Sequence, residues 1–122
     1  MLLKDFYSVV SSTELEGEFI TVVKINKEHD LYRGHFPDRP VTPGVILMQL
    51  FKEEAERRSN KKLQLVTATN VKFMAVVDPN LCEKLTLQSS IMSENGILKL
   101  KGIAKQNDTI SLKISATYKS IS

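Results

Sequence analysis

Of the two histidines in the chain, His29 and His35, it is His35 whose surroundings suggest chemistry. It stands between Gly34 and Phe36 in the segment RGHFPDRPVTPGVILMQ, residues Arg33 to Gln49. Pro37, Pro40 and Pro43 recur at every third position of that segment. Such spacing holds a chain extended, near polyproline II, and stiffens it. An imidazole titrates near neutrality, so one carried on a rigid loop is suited to act as a general base. The loop runs into a helical stretch whose first N–H groups, on Gly44 and Val45, have no partner inside the helix. Such groups can bind an oxyanion or the carbonyl of a thioester. Gly44 has no side chain, so a ligand can come close to the backbone there. The same residues also suit a surface histidine on a plain connector, or a polyproline ligand for another protein.

The elements that would hold this loop are legible from pattern. Thr42 to Ser59 reads as a helix, with Thr42 as N-cap and Pro43 as first helical residue. Arg57 and Arg58 suit its last turn, and Asn60 can end it. Val45-Ile46-Leu47-Met48 is apolar all round, which predicts burial on every side. Lys52, Glu53, Glu54 and Glu56 make the second half polar, which predicts a solvated face. Ile110, Leu112, Ile114, Ala116 and Tyr118 alternate with polar residues, the period-two pattern of a half-buried strand. Strands are also expected over Glu18–Ile25, Leu63–Val77, Leu81–Met92 and Ile97–Lys105. Asn95-Gly96 is a strong hairpin signal. Asn107-Asp108 and Asp78-Pro79-Asn80 read as turns. The pattern is α+β. A curved antiparallel sheet wrapped around one central helix, the hotdog architecture, satisfies it. A run of strands with a separate surface helix is the other arrangement.

A chain of 122 residues is expected to form one domain, spanning 1–122. Hydrophobic residues at 42% and charged residues at 25% exclude a disordered tail and a fibre. No apolar run approaches the roughly 18 residues of a membrane span. Lys4 and Asp5 bring charge too early for a secretory signal. A single cysteine, Cys82, excludes a disulfide framework and a cysteine-rich zinc site. A cytoplasmic protein is the expectation. The net charge of +3 comes from basic residues spread along the chain, densest at Arg57-Arg58 and Lys61-Lys62. That favours a partner with acidic patches over a nucleic acid, for which no motif is present.

His35-Phe36-Pro37-x-x-Pro40-Val41-x-Pro43-Gly44-Val45-Ile46 closely resembles the signature of β-hydroxyacyl-acyl carrier protein dehydratases of the FabA/FabZ type. Asn70-Val71-Lys72-Phe73 and Val77-Asp78-Pro79-Asn80 are similar to the strand and turn before that family's last three strands. The likeness covers about Leu15 to Tyr118. It implies a hotdog fold and a homodimer, or a trimer of dimers. The implied reaction removes water from a 3-hydroxyacyl thioester on acyl carrier protein, giving the trans-2-enoyl product. No metal or diffusible cofactor is implied. His35 would act at the α-carbon proton, the Val41 carbonyl would orient its imidazole, and the Gly44 N–H would bind the thioester oxygen. The site would pair His35 of one subunit with the helix of the other. Arg57, Arg58, Lys61 and Lys62 would meet the acidic carrier.

The chain departs from this pattern at Gln49, where the family places Glu or Asp. Glutamine hydrogen-bonds but cannot transfer a proton at ordinary pH. Many members carry Gln four residues after the acid, and here that position is Glu53. The order is inverted, and residues four apart share a helix face. Glu53 is therefore expected either to reach the site in place of the missing carboxyl, directly or through water, or to stay in the solvated Glu53-Glu54-Glu56 cluster. Phe36 is expected against the substrate tunnel or core, and Met48, Phe51 and Phe73 in an acyl channel or in core packing. Asp38 and Arg39 suit the entrance or a solvated turn. Cys82 reads as core. Three functions follow: a 3-hydroxyacyl-thioester dehydratase using carrier protein or coenzyme A, a hotdog acyl thioesterase, or an acyl-binding subunit paired with an active paralogue.

Overall fold

The computed structural model describes residues 5–29, 42–80 and 82–121. The order is β1 (Tyr7–Leu15), β2 (Glu18–Ile25), α1 (Gly44–Ser59), β3 (Leu63–Phe73), β4 (Lys84–Glu94), β5 (Ile97–Gln106) and β6 (Thr109–Ser120). The strands form one six-stranded antiparallel sheet in the order β1-β2-β4-β5-β6-β3. β2 and β4 are neighbours, so residues 26–83, helix and β3 included, form an excursion between two paired strands.

Alternation decides which sheet face meets the helix. Leu98, Leu100, Ala104, Leu112, Ile114, Ala116 and Tyr118 are buried on one face, with Leu47, Leu50, Phe51 and Ala55 of α1 packed in the same core. Lys99, Lys101 and Lys113 are exposed at intervening positions. Asn95 and Gly96 both take positive φ, 52° and 79°, as the tight β4–β5 turn requires. Glu16 and Gly17 do the same, at 52° and 82°, between β1 and β2. The sequence does not announce that second turn, because Glu-Gly is a weaker signal than Asn-Gly.

Gly102 of β5 lies directly under the helix. A Cβ there would stand 2.5 Å from the Phe51 ring, and Phe51 is fully buried. Gly102→Ala is expected to cost about 1–3 kcal/mol by overpacking. Urea denaturation checks this, and Lys101→Ala beside it serves as a near-neutral control.

Three expectations for the helix are corrected. Thr42 does not cap it: its N–H donates to the Val77 carbonyl at 2.9 Å, in an isolated bridge. Pro43 is the N-cap, without a side-chain cap bond, and its carbonyl receives Ile46 and Leu47 N–H. The apolar first half is not buried all round, since Val45 is 70% exposed. The acidic second half is not all solvated, since Glu53 and Glu54 are both buried. Asn60 ends the helix in the left-handed region, as expected.

Candidate active site at the helix N-terminus

Of the candidate residues, Gly44, Val45, Gln49 and Glu53 are placed by the structure, whereas His35, Phe36 and Val41 lie outside the described residues. The same is true of Pro37, Asp38, Arg39 and Pro40.

The start of α1 opens into a cleft of about 530 Å³, lined by Pro43, Gly44, Val45, Phe73, Met74 and Val76 among others. Its rim is apolar and open to solvent: Val45, Phe73, Met74 and Val76 are each more than half exposed. Gly44 and Val45 precede the first N–H groups that bond within the helix, those of Ile46 and Leu47. Their own N–H groups have no carbonyl behind them to reach. A Cβ on Gly44 would overlap the Phe73 ring at 2.2 Å, so only glycine admits the ring against the helix start. The arrangement joins backbone donors to a greasy wall, which suits a polar carbonyl attached to an apolar chain.

Gln49 is half-buried, and its Nε2 donates to Glu53 Oε2 at 3.1 Å. Glu53 is 0% exposed, and the Tyr7 hydroxyl donates to its Oε1 at 2.8 Å. Arg57 Nη1 donates in turn to the Tyr7 oxygen, with its guanidinium 5.4 Å from the Tyr7 ring centroid. The Gln49–Glu53 pair expected from their spacing is thus present, but Glu53 faces β1 and the protein interior rather than solvent. Sequence reasoning misses Tyr7. It lies 46 residues from Glu53, and nothing local marks the partnership.

Arg57 and Arg58 also depart from expectation. Glu54 Oε1 sits 3.6 Å from Arg57 Nη2 and 3.5 Å from Arg58 Nε. Arg58 further donates to Thr21 and Ser12 and lies 4.2 Å over the Phe19 ring. Both arginines are spent on tying α1 to β1 and β2. Lys61 and Lys62 are exposed. Phe51 is core, Met48 packs partly buried against it, and Phe73 alone of the three lines the cleft. Cys82 is half-buried ahead of β4, its Sγ 3.5 Å from the Lys84 carbonyl.

Burial pushes the Tyr7 phenol up to about 12, helped by Glu53 and opposed by the Arg57 hydrogen bond. Burial pushes Tyr118 up to about 12 as well, with Glu56 adding to it. Unfolded tyrosines ionise near 10. The folded chain therefore holds more protons between pH 10 and 12, so stability present below pH 10 falls as pH climbs through that window. Urea midpoints measured across it are expected to drop, and less steeply in Tyr118→Phe.

The family described as ApeI-like, ApeI dehydratase, matches residues 11–114. The chain belongs to the ApeI-like dehydratase family. A 3-hydroxyacyl-[acyl-carrier-protein] dehydratase FabZ from Thermoanaerobacter sp. is 30% identical to this ApeI-like chain over 105 residues, covering 79% of the chain and 72% of the relative. The dehydratase heterocomplex ApeI:P from Xenorhabdus doucetiae has a similar structure, with a TM-score of 0.72 at 18% identity over 92% of this chain and 96% of that one. A hypothetical thioesterase with coenzyme A from Streptococcus pneumoniae has a TM-score of 0.65 at 10% identity, over 97% and 95%. These structures establish the hotdog fold, which dehydratases and thioesterases share. Among the described residues, no helix of this ApeI-like protein is long and apolar enough to cross a membrane.

Proposed function

We propose that this chain is a 3-hydroxyacyl-thioester dehydratase, forming trans-2-enoyl thioesters in fatty-acid or polyene-type biosynthesis. The observation that carries the reading is the helix start: Gly44 and Val45 N–H groups open onto an apolar cleft, in a chain of a dehydratase family. In this reading the thioester oxygen accepts from Gly44 N–H and the acyl chain lies along Val45 and Phe73. That carbonyl polarisation acidifies the α-carbon, and His35 removes its proton. Gln49 transfers no proton. The imidazolium of His35 therefore returns the proton to the departing 3-hydroxyl, which leaves as water. Phe36 would wall the chain, and the Val41 carbonyl would orient the imidazole. The thioester rides on acyl carrier protein or coenzyme A, in the cytoplasm, and no nucleic acid, membrane or cofactor takes part.

Two features favour a site shared between chains. Gly44 and Gln49 are separated by about 500° of helical turn and about 7.5 Å of rise, and the Gln49 amide leans a further turn away, toward Glu53. One small substrate does not span both on a single helix. Among the described residues, β3 ends the sheet with an unpaired edge that bears exposed Leu65 and Val66 near its start and reaches the cleft wall at Phe73 at its end. Open apolar edges invite pairing with another chain. A homodimer of single hotdog domains is the first reading. Because Gln49 lacks a proton to give, a dehydratase-like paralogue supplying a carboxylate is the second.

Wild type and His35→Ala, assayed on a short 3-hydroxyacyl-carrier thioester, test the proposal. Enoyl absorbance without free thiol is expected, falling by about 10²–10⁴-fold in the variant. Free thiol would make the chain a thioesterase. Silence that ends on mixing with a paralogue would make it a partner subunit.

A further inference from the structure

Glu53 is a group that the reading above leaves without a task. It is wholly buried, and both its oxygens accept hydrogen bonds, Oε1 from the Tyr7 hydroxyl and Oε2 from Gln49 Nε2. A carboxylate only accepts hydrogen bonds. That settles which way round the Gln49 amide sits, since the reversed amide would set its oxygen against Oε2, acceptor facing acceptor. Both hydrogens of Nε2 then lie on the Glu53 side of the amide carbon, and Oε1 lies on the other. Tyr7 and Arg57 hold the carboxylate from behind, so Glu53 cannot swing away to relax the constraint.

We propose that Glu53 is a positioning residue whose buried carboxylate locks the Gln49 amide so that its oxygen faces the substrate, selecting acyl thioesters with a 3-hydroxyl over those with a 3-ketone. This rests on the reading of α1 as one wall of an acyl-thioester site. A 3-hydroxyl donates to the Gln49 oxygen. A 3-ketone offers only another acceptor and leaves two oxygens opposed. A mismatch of that kind is worth about tenfold in affinity. A glutamine at position 53 would keep its oxygen on the Tyr7 hydroxyl and turn its nitrogen to Gln49, so the Gln49 amide reverses and the preference for a 3-hydroxyl is lost.

Two measurements on the full chain test this. The first follows the side-chain amide resonances of Gln49 by nitrogen-15 NMR in wild type and Glu53→Gln. A clear shift of the Gln49 pair is expected, and an unchanged pair overturns the lock. The second measures binding of 3-hydroxybutyryl-coenzyme A and 3-ketobutyryl-coenzyme A. Wild type is expected to prefer the hydroxy ligand by about tenfold, with a ratio of one or less in Glu53→Gln. A ratio near one in wild type overturns the selection even where the variant does not fold. A preference that survives in a folded Glu53→Gln overturns the part given to Glu53. Binding of neither thioester overturns the acyl-thioester reading and the selection with it, while the NMR shift separately upholds or overturns the positioning.

Discussion

Exchanging the two helix residues, as Gln49→Glu with Glu53→Gln in one chain, will raise the dehydration rate by about 10²-fold or more. The hydrogen bonds explain why the exchange is tolerated. In the native pair, Gln49 donates to Glu53 and Tyr7 donates to Glu53 from the other side. In the exchanged pair, the glutamine introduced at position 53 turns its oxygen to the Tyr7 hydroxyl and its nitrogen to the carboxylate introduced at position 49. Every bond is kept, with one donor and one acceptor reversed. What changes is the half-buried position, which gains a group able to hand a proton to a departing hydroxyl. Gln49→Glu alone sets two carboxylates against each other and is expected to lose stability instead. Turnover on a 3-hydroxyacyl-carrier thioester, measured for the double and single variants, decides it. A double variant that folds and is no faster than wild type places position 49 away from the reacting hydroxyl.

Glu53→Leu is expected to cost the fold about 2–5 kcal/mol, because it leaves two part-buried donors without an acceptor. The leucine fills the volume but satisfies nothing. The Tyr7 hydroxyl and the Gln49 amide lose their acceptor, and Arg57 keeps a hydroxyl that has lost its own anchor. β1 suffers with them, because it is an edge strand among the described residues and these side chains fasten its start to α1. Lys52→Ala, one residue away and half-buried, is expected to change little. Urea denaturation of both variants checks the contrast. A Glu53→Leu midpoint equal to wild type would show that the network contributes nothing net.

The sheet is legible because its evidence is local. Alternation from Ile110 to Lys119 and the Asn95-Gly96 pair each depend on a few adjacent residues. The helix is legible in extent but not in environment. Val45 looks like core because it is apolar, yet it rims the cleft. Glu53 and Glu54 look like surface because they are charged, yet Tyr7, Gln49, Arg57 and Arg58 surround them inside. Those partners come partly from β1, whose residues show no apolar alternation strong enough to mark what they cover. Hydropathy reports which residues avoid water on average and is silent about pairings over 46 positions. Within the candidate site, the glycine at the helix start and the Gln49–Glu53 spacing can be read from the chain. The burial that decides what Glu53 can do cannot.

The direct pairing of β2 with β4 has a bearing on how the molecule folds. β1, β2, β4, β5 and β6 follow one another through the sheet as a meander, three of whose connections are tight hairpins or short turns. The chain between β2 and β4 carries α1 and the cleft, and is tied to the sheet by β3 on β6, by Gln106 on the Asp78 and Cys82 carbonyls, and by the bonds from Tyr7 to Glu53 and from Arg58 to Thr21. Short hairpins close in microseconds, whereas pairing β3 with β6 must close a loop of about forty residues and pairing β2 with β4 one of about sixty. The β4–β5–β6 hairpins can therefore form first, with β3 added to β6 next and the β1–β2 hairpin joined to β4 last. Because Leu47, Leu50, Phe51 and Ala55 of α1 share one core with the strands, the helix and the sheet are expected to unfold together.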